Sequence, residues 1–575
     1  MPPYQLSAWN LQEIKPRSIA KECKRLEQEV KKFEQKRRFL SNAISVKTFF
    51  TLVRELEQLH RQMEKVGVYV QLRFAEDSTN QWAVAEMSQV ENFLTKMNNK
   101  LLFFTFWFKE LPEQKAKQLI RTSGKYHYFL ETLRRTKKYS LLENEEKIIN
   151  IKDNTGINAL HNIYDIFTSE FEFSFQGKKK TKEEMITFVR STSAKIREQA
   201  YQILLHPYQK NKNILGEIYK MIVTDWQEEY LSLRCYTTSI EVRNIINDLP
   251  NKAVETLLKE CEKNQPLFQE FFEIKRQKMN LKKFRRFDLY APLKTEDKWI
   301  PYHQAVALVL ESFNEFSPSF HHPASLILSK NHVHSLVQKG KRSGAFCSPV
   351  TTKIHPYVLL SYTGKYRDVT TLAHELGHGV HMTLAQKQSE FTMDACLPLA
   401  ETASIFAEML LSEKIMKDNP QIAKEMMFMK IDDLYASIIR QASFVQFEIK
   451  AHQMFKEGKT LDEISQSYLQ DLRKQLGPKI EVDKIFAYEW LCIPHIYHAP
   501  FYCYAYAFGN LLTLALYELY EEKGKNFVPK IIELLSTGGS ESPQKITKRI
   551  GVDITSEKFW QKGFDVIKRM IDEVY

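Results

Sequence analysis

The chain has 575 residues, 43% of them hydrophobic and 12% aromatic, too long for one ordinary domain and too apolar for disorder, so about two to four domains or one large architecture around a cavity is expected. Glycine (18) and proline (20) are scarce, which excludes a turn-rich β fold and predicts a mainly α-helical protein. The net charge of +12 invites a nucleic-acid or membrane partner, but the basic runs at 31–38, 134–138, 178–180 and 283–286 are short, scattered and mixed with glutamates, and read as solvated surface.

The N-terminus, Met1-Pro-Pro-Tyr-Gln-Leu6, carries no apolar signal core, and no run of about 18 apolar residues follows, so a soluble, cytoplasmic protein is expected. The seven cysteines are odd in number and far apart, with no C-x-x-C pair, which fits a reducing compartment. Residues 16–121 are patterned as long amphipathic helices. Phe49, Leu52, Val53, Leu56 and Leu59 recur at helical spacing, and residues 103–108 form an aromatic patch; both read as core. Phe171-Glu-Phe-Ser-Phe175 alternates strictly and runs into Gly177, a short strand and turn, and Thr181-Lys-Glu-Glu184 is a capping box opening the next helix. A boundary between an N-terminal helical region, 1–180, and a second region, 181–575, is drawn there. Helical patterning continues over 183–281 with a break at Asp248-Leu-Pro250. Residues 288–292 read as extended, and a helix is expected over 301–316. Between 326 and 366 the character changes: Lys339-Gly-Lys-Arg-Ser-Gly-Ala-Phe-Cys347 is a loop, and Pro356-Tyr-Val-Leu-Leu-Ser-Tyr362 is a β-prone run. As a strand, that run is either an ordinary buried one or one with a free edge along which a peptide backbone pairs.

Thr371-Leu-Ala-His-Glu-Leu-Gly-His-Gly-Val-His381 contains the pattern H-E-x-x-H. On a helix, His374 and His378 sit one turn apart on one face, and their Nε2 atoms can meet at a single metal ion. Glu375 then lies beside that ion, placed to act on its water. The alternative is an exposed helical face with two unrelated histidines. Asp368 is expected to cap the helix, which runs on to about Gln386. Gly377 and Gly379 each cost about 1 kcal/mol of helix propensity relative to alanine, so something packs closely there, a bound peptide or another helix.

A catalytic zinc takes three protein ligands and leaves a fourth position open. Of the downstream candidates His381, Asp394, Glu401 and Glu408, His381 lies a turn too far along. Glu401 is preferred: Pro398 can open a helix, and Glu401 then falls in its first turn. Glu401, Ser404 and Glu408 also share one polar stripe on an otherwise apolar helix, where carboxylates need a partner. Glu408 reads as a support for a ligand rather than a ligand. Further on, Ile493-Pro-His-Ile-Tyr-His-Ala-Pro-Phe-Tyr-Cys-Tyr-Ala-Tyr-Ala-Phe-Gly509 is either aromatic core or a source of oxyanion donors, through His495, Tyr497, His498, Tyr502, Tyr504 and Tyr506.

Four of these segments (356–362, 367–381, Glu401-Thr-Ala-Ser404, and 494–507) together resemble the oligoendopeptidase F group of the M3 family of zinc metallopeptidases, with thimet oligopeptidase as a distant relative. The resemblance implies one zinc ion per chain bound by His374, His378 and Glu401, Glu375 as general base, and His495, Tyr497 and Tyr504 as contacts to substrate and oxyanion. It also implies a large, mainly α-helical, clam-like molecule of two lobes around a deep central channel, with a small β-sheet next to the zinc helix. Residues 1–180 are then part of one lobe and 181–575 the catalytic region. Short unstructured peptides, cut at internal bonds, are the implied substrates, with no nucleic-acid or membrane partner; oligomeric state is left open. Three other readings stay open: an aminopeptidase using the same zinc chemistry, a non-catalytic peptide-binding protein, and a basic nucleic-acid-binding protein.

Overall fold

Long apolar stripes at helical spacing dominate the chain, and the computed structural model, which describes residues 4–153, 155–293 and 299–575, is accordingly mainly helical. The strands are short: β1 (Phe173–Phe175), β2 (Lys178–Lys180), β3 (Phe284–Arg285), β4 (Val333–His334), β5 (Phe346–Ser348), β6 (Tyr357–Leu359) and β7 (Ile480–Glu481). β1 and β2 form an antiparallel hairpin, β3 and β7 a parallel pair, and the other three a sheet in the order β4-β6-β5. Among the described residues, no helix is long and apolar enough to cross a membrane. The chain folds into two compact units, each assembled from separate segments: Met1–Lys147, Asp297–Lys414 and Leu519–Gly551 in the first, Ile148–Glu296, Ile415–Glu518 and Val552–Tyr575 in the second.

In the first unit, α1 (Val46–Glu76) packs against α2 (Gln81–Glu110). The Ser45 hydroxyl accepts the Thr48 N–H at 3.1 Å, a cap of the kind that contributes about 1 kcal/mol. Phe49, Leu52, Val53, Leu56 and Leu59 are all buried, and the Phe49 ring stacks on Phe104 and Phe108 at 6.0 and 5.6 Å. The β4-β6-β5 sheet packs on α3 (Tyr366–Ala385), which is followed by α4 (Leu397–Asp418).

Two expectations are corrected here. β6 is the central strand: Val358 faces Val333 of β4 on one side and Cys347 of β5 on the other, and the Leu360 N–H donates to the His334 carbonyl. The run 358–361 therefore has no free edge, and the sheet's edges are β4 and β5. Asp368 is not the N-cap of α3 but its third residue. From there its carboxylate accepts the Thr363 N–H (2.7 Å), the Thr363 hydroxyl (2.6 Å) and the Lys365 N–H (3.1 Å), satisfying donors at the helix entrance from inside the first turn.

In the second unit the hairpin follows the helix Ile157–Ser169, and its turn residues Gln176 and Gly177 both have positive φ (51° and 75°), the left-handed pair a two-residue hairpin turn requires. The capping box at Thr181 and Glu184 is present, with bonds of 3.2 and 2.9 Å. The helical run breaks at Asp248, where φ is +57°. Residues expected to be extended from 288 instead begin in a tight helical turn, Arg286–Asp288. The buried Asp288 carboxylate accepts the Arg285 N–H at 3.0 Å and pairs with the Arg197 guanidinium at 2.7 Å, and these bonds fold the segment back on itself. α5 (Arg440–Lys456) belongs to this unit, and α6 (Tyr504–Lys523) starts in it.

Candidate active site

α3 carries His374, Glu375 and His378, and α4 carries Glu401 and Glu408. The two helices touch at Gly377, where a Cβ would stand 2.7 Å from the Ala403 carbonyl oxygen and Ser404 Cα and 2.9 Å from Ala407 Cβ. The close neighbour anticipated at this glycine is therefore another helix, and that approach carries Glu401 to the histidines. A Cβ at Gly379 would instead meet Ile327 Cδ1 at 2.5 Å, with Cys347 and Pro356 beyond it.

His374 Nε2 and His378 Nε2 each lie 3.5 Å from Glu401 Oε2, and the three candidate ligand atoms all fall within 4.8 Å of one another. Atoms bound about 2.1 Å from one ion at tetrahedral angles lie about 3.4 Å apart, so this donor set fits a zinc ion. The supports fit as well. His374 Nδ1 lies 2.6 Å from Glu408 Oε1, leaving Nε2 directed at the ligand cluster, and the Ser404 hydroxyl is shared between the Glu401 carbonyl at 2.9 Å and Glu401 Oε2 at 3.1 Å. Such partners fix ring orientation and raise ligand basicity. The stripe Glu401–Ser404–Glu408 thus places one candidate ligand and two polar neighbours of the candidate ligands on one helix.

The electrostatics divide the two histidines. Burial opposes a proton on His374, but the hydrogen bond and charge of Glu408, with Glu375 and Glu401, raise its pKa to about 9. Burial and the neighbouring His374 push His378 down to about 3, against the Ala400 backbone and Glu408. Burial pushes the Glu375 carboxyl up to about 7; His374 pulls it down, while Glu401 and Glu408 add to the rise. Glu375 is 6% exposed, and its Oε2 has no hydrogen-bond partner among the described residues. Glu375 is thus a buried carboxylate within electrostatic reach of His374 and Glu401, two of the three residues that could hold a metal ion.

His381 is buried outside this cluster, its pKa driven down to about 4 by burial, and Asp394 is exposed. Cys347 of β5 was not anticipated as a neighbour of the site: its thiol is pushed well up by burial and then by the Glu375 charge, and its Sγ lies 3.7 Å from Met382 Sδ. Only the β5–β6 pairing brings it there, and no spacing in the chain announces it.

The tyrosine-rich segment lies in the second unit. Tyr497 and Tyr504, expected to present their hydroxyls, are instead fully buried. Tyr497 stacks on Tyr164 at 3.9 Å and donates to the Leu215 carbonyl at 3.4 Å, and the Tyr504 hydroxyl accepts from Asn247 Nδ2 at 2.8 Å. His495, Tyr502 and Tyr506 are half-buried and grouped. The Tyr506 hydroxyl is 3.3 Å from His495 Nε2, the His495 and Tyr502 rings are parallel at 5.8 Å, and Tyr502 meets Tyr506 edge-on at 5.3 Å. His498 Nε2 is tied to Asp165 at 2.9 Å.

With this geometry in place, the relatives agree. The model for peptidase family M3 matches residues 187–566, and that for oligopeptidase F matches residues 107–173. An oligoendopeptidase F homolog of Borreliella burgdorferi is 28% identical over 538 residues, covering 90% of this chain and 89% of the relative. Oligopeptidase PepF of Bacillus subtilis is 25% identical over 535 residues, covering 89% and 79%. The crystal structure of oligoendopeptidase-F from Enterococcus faecium superposes with a TM-score of 0.72 at 19% identity, over 96% of this chain and 98% of that one, a likeness of fold.

Proposed function

The chain belongs to peptidase family M3, and on that premise we propose that it is a zinc-dependent endopeptidase cutting internal bonds of short, unstructured oligopeptides. The observation that carries the proposal is the convergence of His374, His378 and Glu401 beside the unpartnered carboxylate oxygen of Glu375. His374, His378 and Glu401 would hold one zinc ion, which when bound supplies a Lewis acid and a water acidified toward neutral pH.

The remaining steps belong to the chain's own groups. Glu375 Oε2 takes a proton from the attacking water and later passes it to the leaving amine, a shuttle open to a buried carboxylate oxygen with no hydrogen-bond partner among the described residues. Glu408 keeps His374 turned toward the metal, and Ser404 does the same for Glu401. For alignment of an extended substrate, β5 replaces the run 358–361, because β5 is an edge of the sheet and β6 is not. For contacts to the substrate and the developing oxyanion, His495, Tyr502 and Tyr506 are the accessible donors, in place of the buried Tyr497 and Tyr504.

The test is to measure bound metal and then digest a library of short peptides blocked at the N-terminus, mapping cuts by mass spectrometry. Stoichiometric zinc with internal cuts is expected. Cleavage only of unblocked peptides, one residue from the N-terminus, would replace this reading with an aminopeptidase, and no cleavage with bound peptide would replace it with a peptide-binding protein.

A further inference from the structure

One peptide group in the second unit is gripped from both sides by ionisable residues, the buried Glu448 and the half-buried Arg243. The Phe501 N–H donates to Glu448 Oε1 at 2.8 Å, and the Pro500 carbonyl accepts from Arg243 Nε at 3.0 Å. These are the two polar ends of the same Pro500–Phe501 peptide bond. Glu448 lies on α5 and is fully buried, and its other oxygen has no hydrogen-bond partner among the described residues. Arg243 comes from the helix Ser239–Ile246, its guanidinium 5.8 Å from the Trp226 ring. The residue so held, Phe501, is not glycine yet has φ +61°, a left-handed conformation that an aromatic residue keeps only when its surroundings impose it. Its ring is buried against His452, one turn along α5 from Glu448, at 4.7 Å.

This strained turn sits in the middle of the donor cluster. Before it, His495 lies at the start of a helical turn, Pro494–His498, closed by the Ala499 N–H donating to the His495 carbonyl at 2.8 Å; after it come Tyr502 and, as the third residue of α6, Tyr506. The direction of the chain at Phe501 therefore decides whether Tyr502 and Tyr506 meet His495 or turn away from it. Burying a carboxylate on a single N–H is unfavourable for folding alone. Burial indeed pushes the Glu448 carboxyl up to about 8, against the Phe501 N–H and the Arg243 charge. Such a group is explained by the conformation it enforces.

We propose that Glu448 and Arg243 are positioning residues: together they clamp the Pro500–Phe501 peptide and hold the turn that sets His495, Tyr502 and Tyr506 as one donor group for the substrate. Neither touches the substrate. The proposal rests on the reading that this cluster contacts the substrate of a peptidase.

The test compares Glu448→Leu with Glu448→Gln, of similar volume, the second keeping an oxygen that can accept the Phe501 N–H. The readout is the inhibition constant of a phosphinic peptide, a tetrahedral mimic, measured at a temperature where circular dichroism shows each variant fully folded, since partial reversible unfolding would itself raise the apparent constant. Glu448→Leu is expected to weaken inhibition and to lower kcat/KM in parallel by about 10- to 100-fold, with zinc content unchanged, while Glu448→Gln stays within about threefold. If Glu448→Leu does not fold, Arg243→Ala, which releases the other end of the same peptide, is measured instead, with a loss of about tenfold expected. An unchanged inhibition constant in the folded variant overturns the clamp, as does an equal loss in Leu and Gln. If the wild type neither cleaves blocked peptides nor binds the phosphinic peptide, the peptidase reading itself has failed, which separates the two outcomes.

Discussion

Replacing Gly377 by alanine puts the helix contact that builds the metal site under direct strain. On an isolated helix the change would stabilise by about 1 kcal/mol. Here the new methyl group would sit 2.7 Å from the backbone of Ala403 and Ser404, and ordinary carbon contacts begin near about 3.5 Å. α3 and α4 must therefore part by about 0.8 Å, since backbone cannot rotate aside. Overpacking of this kind costs about 1–3 kcal/mol, so a small net loss of stability is expected. The larger effect falls on the metal. Glu401 Oε2 now stands 3.5 Å from each imidazole nitrogen, close to the tetrahedral spacing. Widening both gaps with bonds of about 2.1 Å should weaken zinc binding about 10- to 100-fold. Chelator competition measures that affinity, and thermal unfolding with and without zinc measures the stability. Gly379→Ala is the control, because its methyl would meet only the end of the Ile327 side chain, which can rotate away. A Gly377→Ala protein that gains stability and keeps its zinc affinity would refute the argument that this glycine sets the ligand geometry.

Two further outcomes follow from the structure. Glu408→Ala removes the acceptor at His374 Nδ1 and should lower zinc affinity about 10- to 100-fold by chelator competition, with peptide cleavage largely restored at saturating zinc; unaltered affinity would show that Glu408 does not orient the ligand. The two imidazole nitrogens of the buried His452 have no hydrogen-bond partner among the described residues, and burial lowers its pKa from 6.5 to about 3. Because the folded value is the lower one, the unfolded chain takes up the proton first, so stability is complete above about pH 6.5 and declines as the pH falls toward 3. Between pH 7 and 4.5 the decline amounts to about 3 kcal/mol. Denaturant unfolding of His452→Leu should lack that part of the slope, and an identical pH dependence in both proteins would show that His452 is not buried neutral.

The cluster of His374, His378 and Glu401, which could hold a metal ion, was legible in the chain because local spacing encodes it. His374 and His378 share a face through the helical repeat alone, and Glu401 stood out as a carboxylate on an otherwise apolar helix. The support of His374 by Glu408 could be read for the same reason. What failed to show was settled by distant partners. The centrality of β6 depends on β4, Val333–His334, two residues long and paired in parallel, which leaves no periodic trace. The fold-back at Asp288 depends on Arg197, far upstream. Among the tyrosines, the positive φ at Phe501 breaks the helical repeat between Tyr497 and Tyr504, so no single face could be projected through the segment, and buried and accessible rings looked alike. Nor does composition reveal that each compact unit is assembled from segments that leave and return.

The central claim is tested most directly by Glu375→Gln, measured for bound zinc and for cleavage of N-terminally blocked peptides. The substitution keeps the shape of the side chain and removes its ability to take a proton, while His374, His378 and Glu401 are untouched. Zinc should remain at one per chain, and the cleavage rate should fall by about a thousandfold or more. A variant that binds zinc and cuts peptides at the wild-type rate would contradict the assignment of Glu375 as the base.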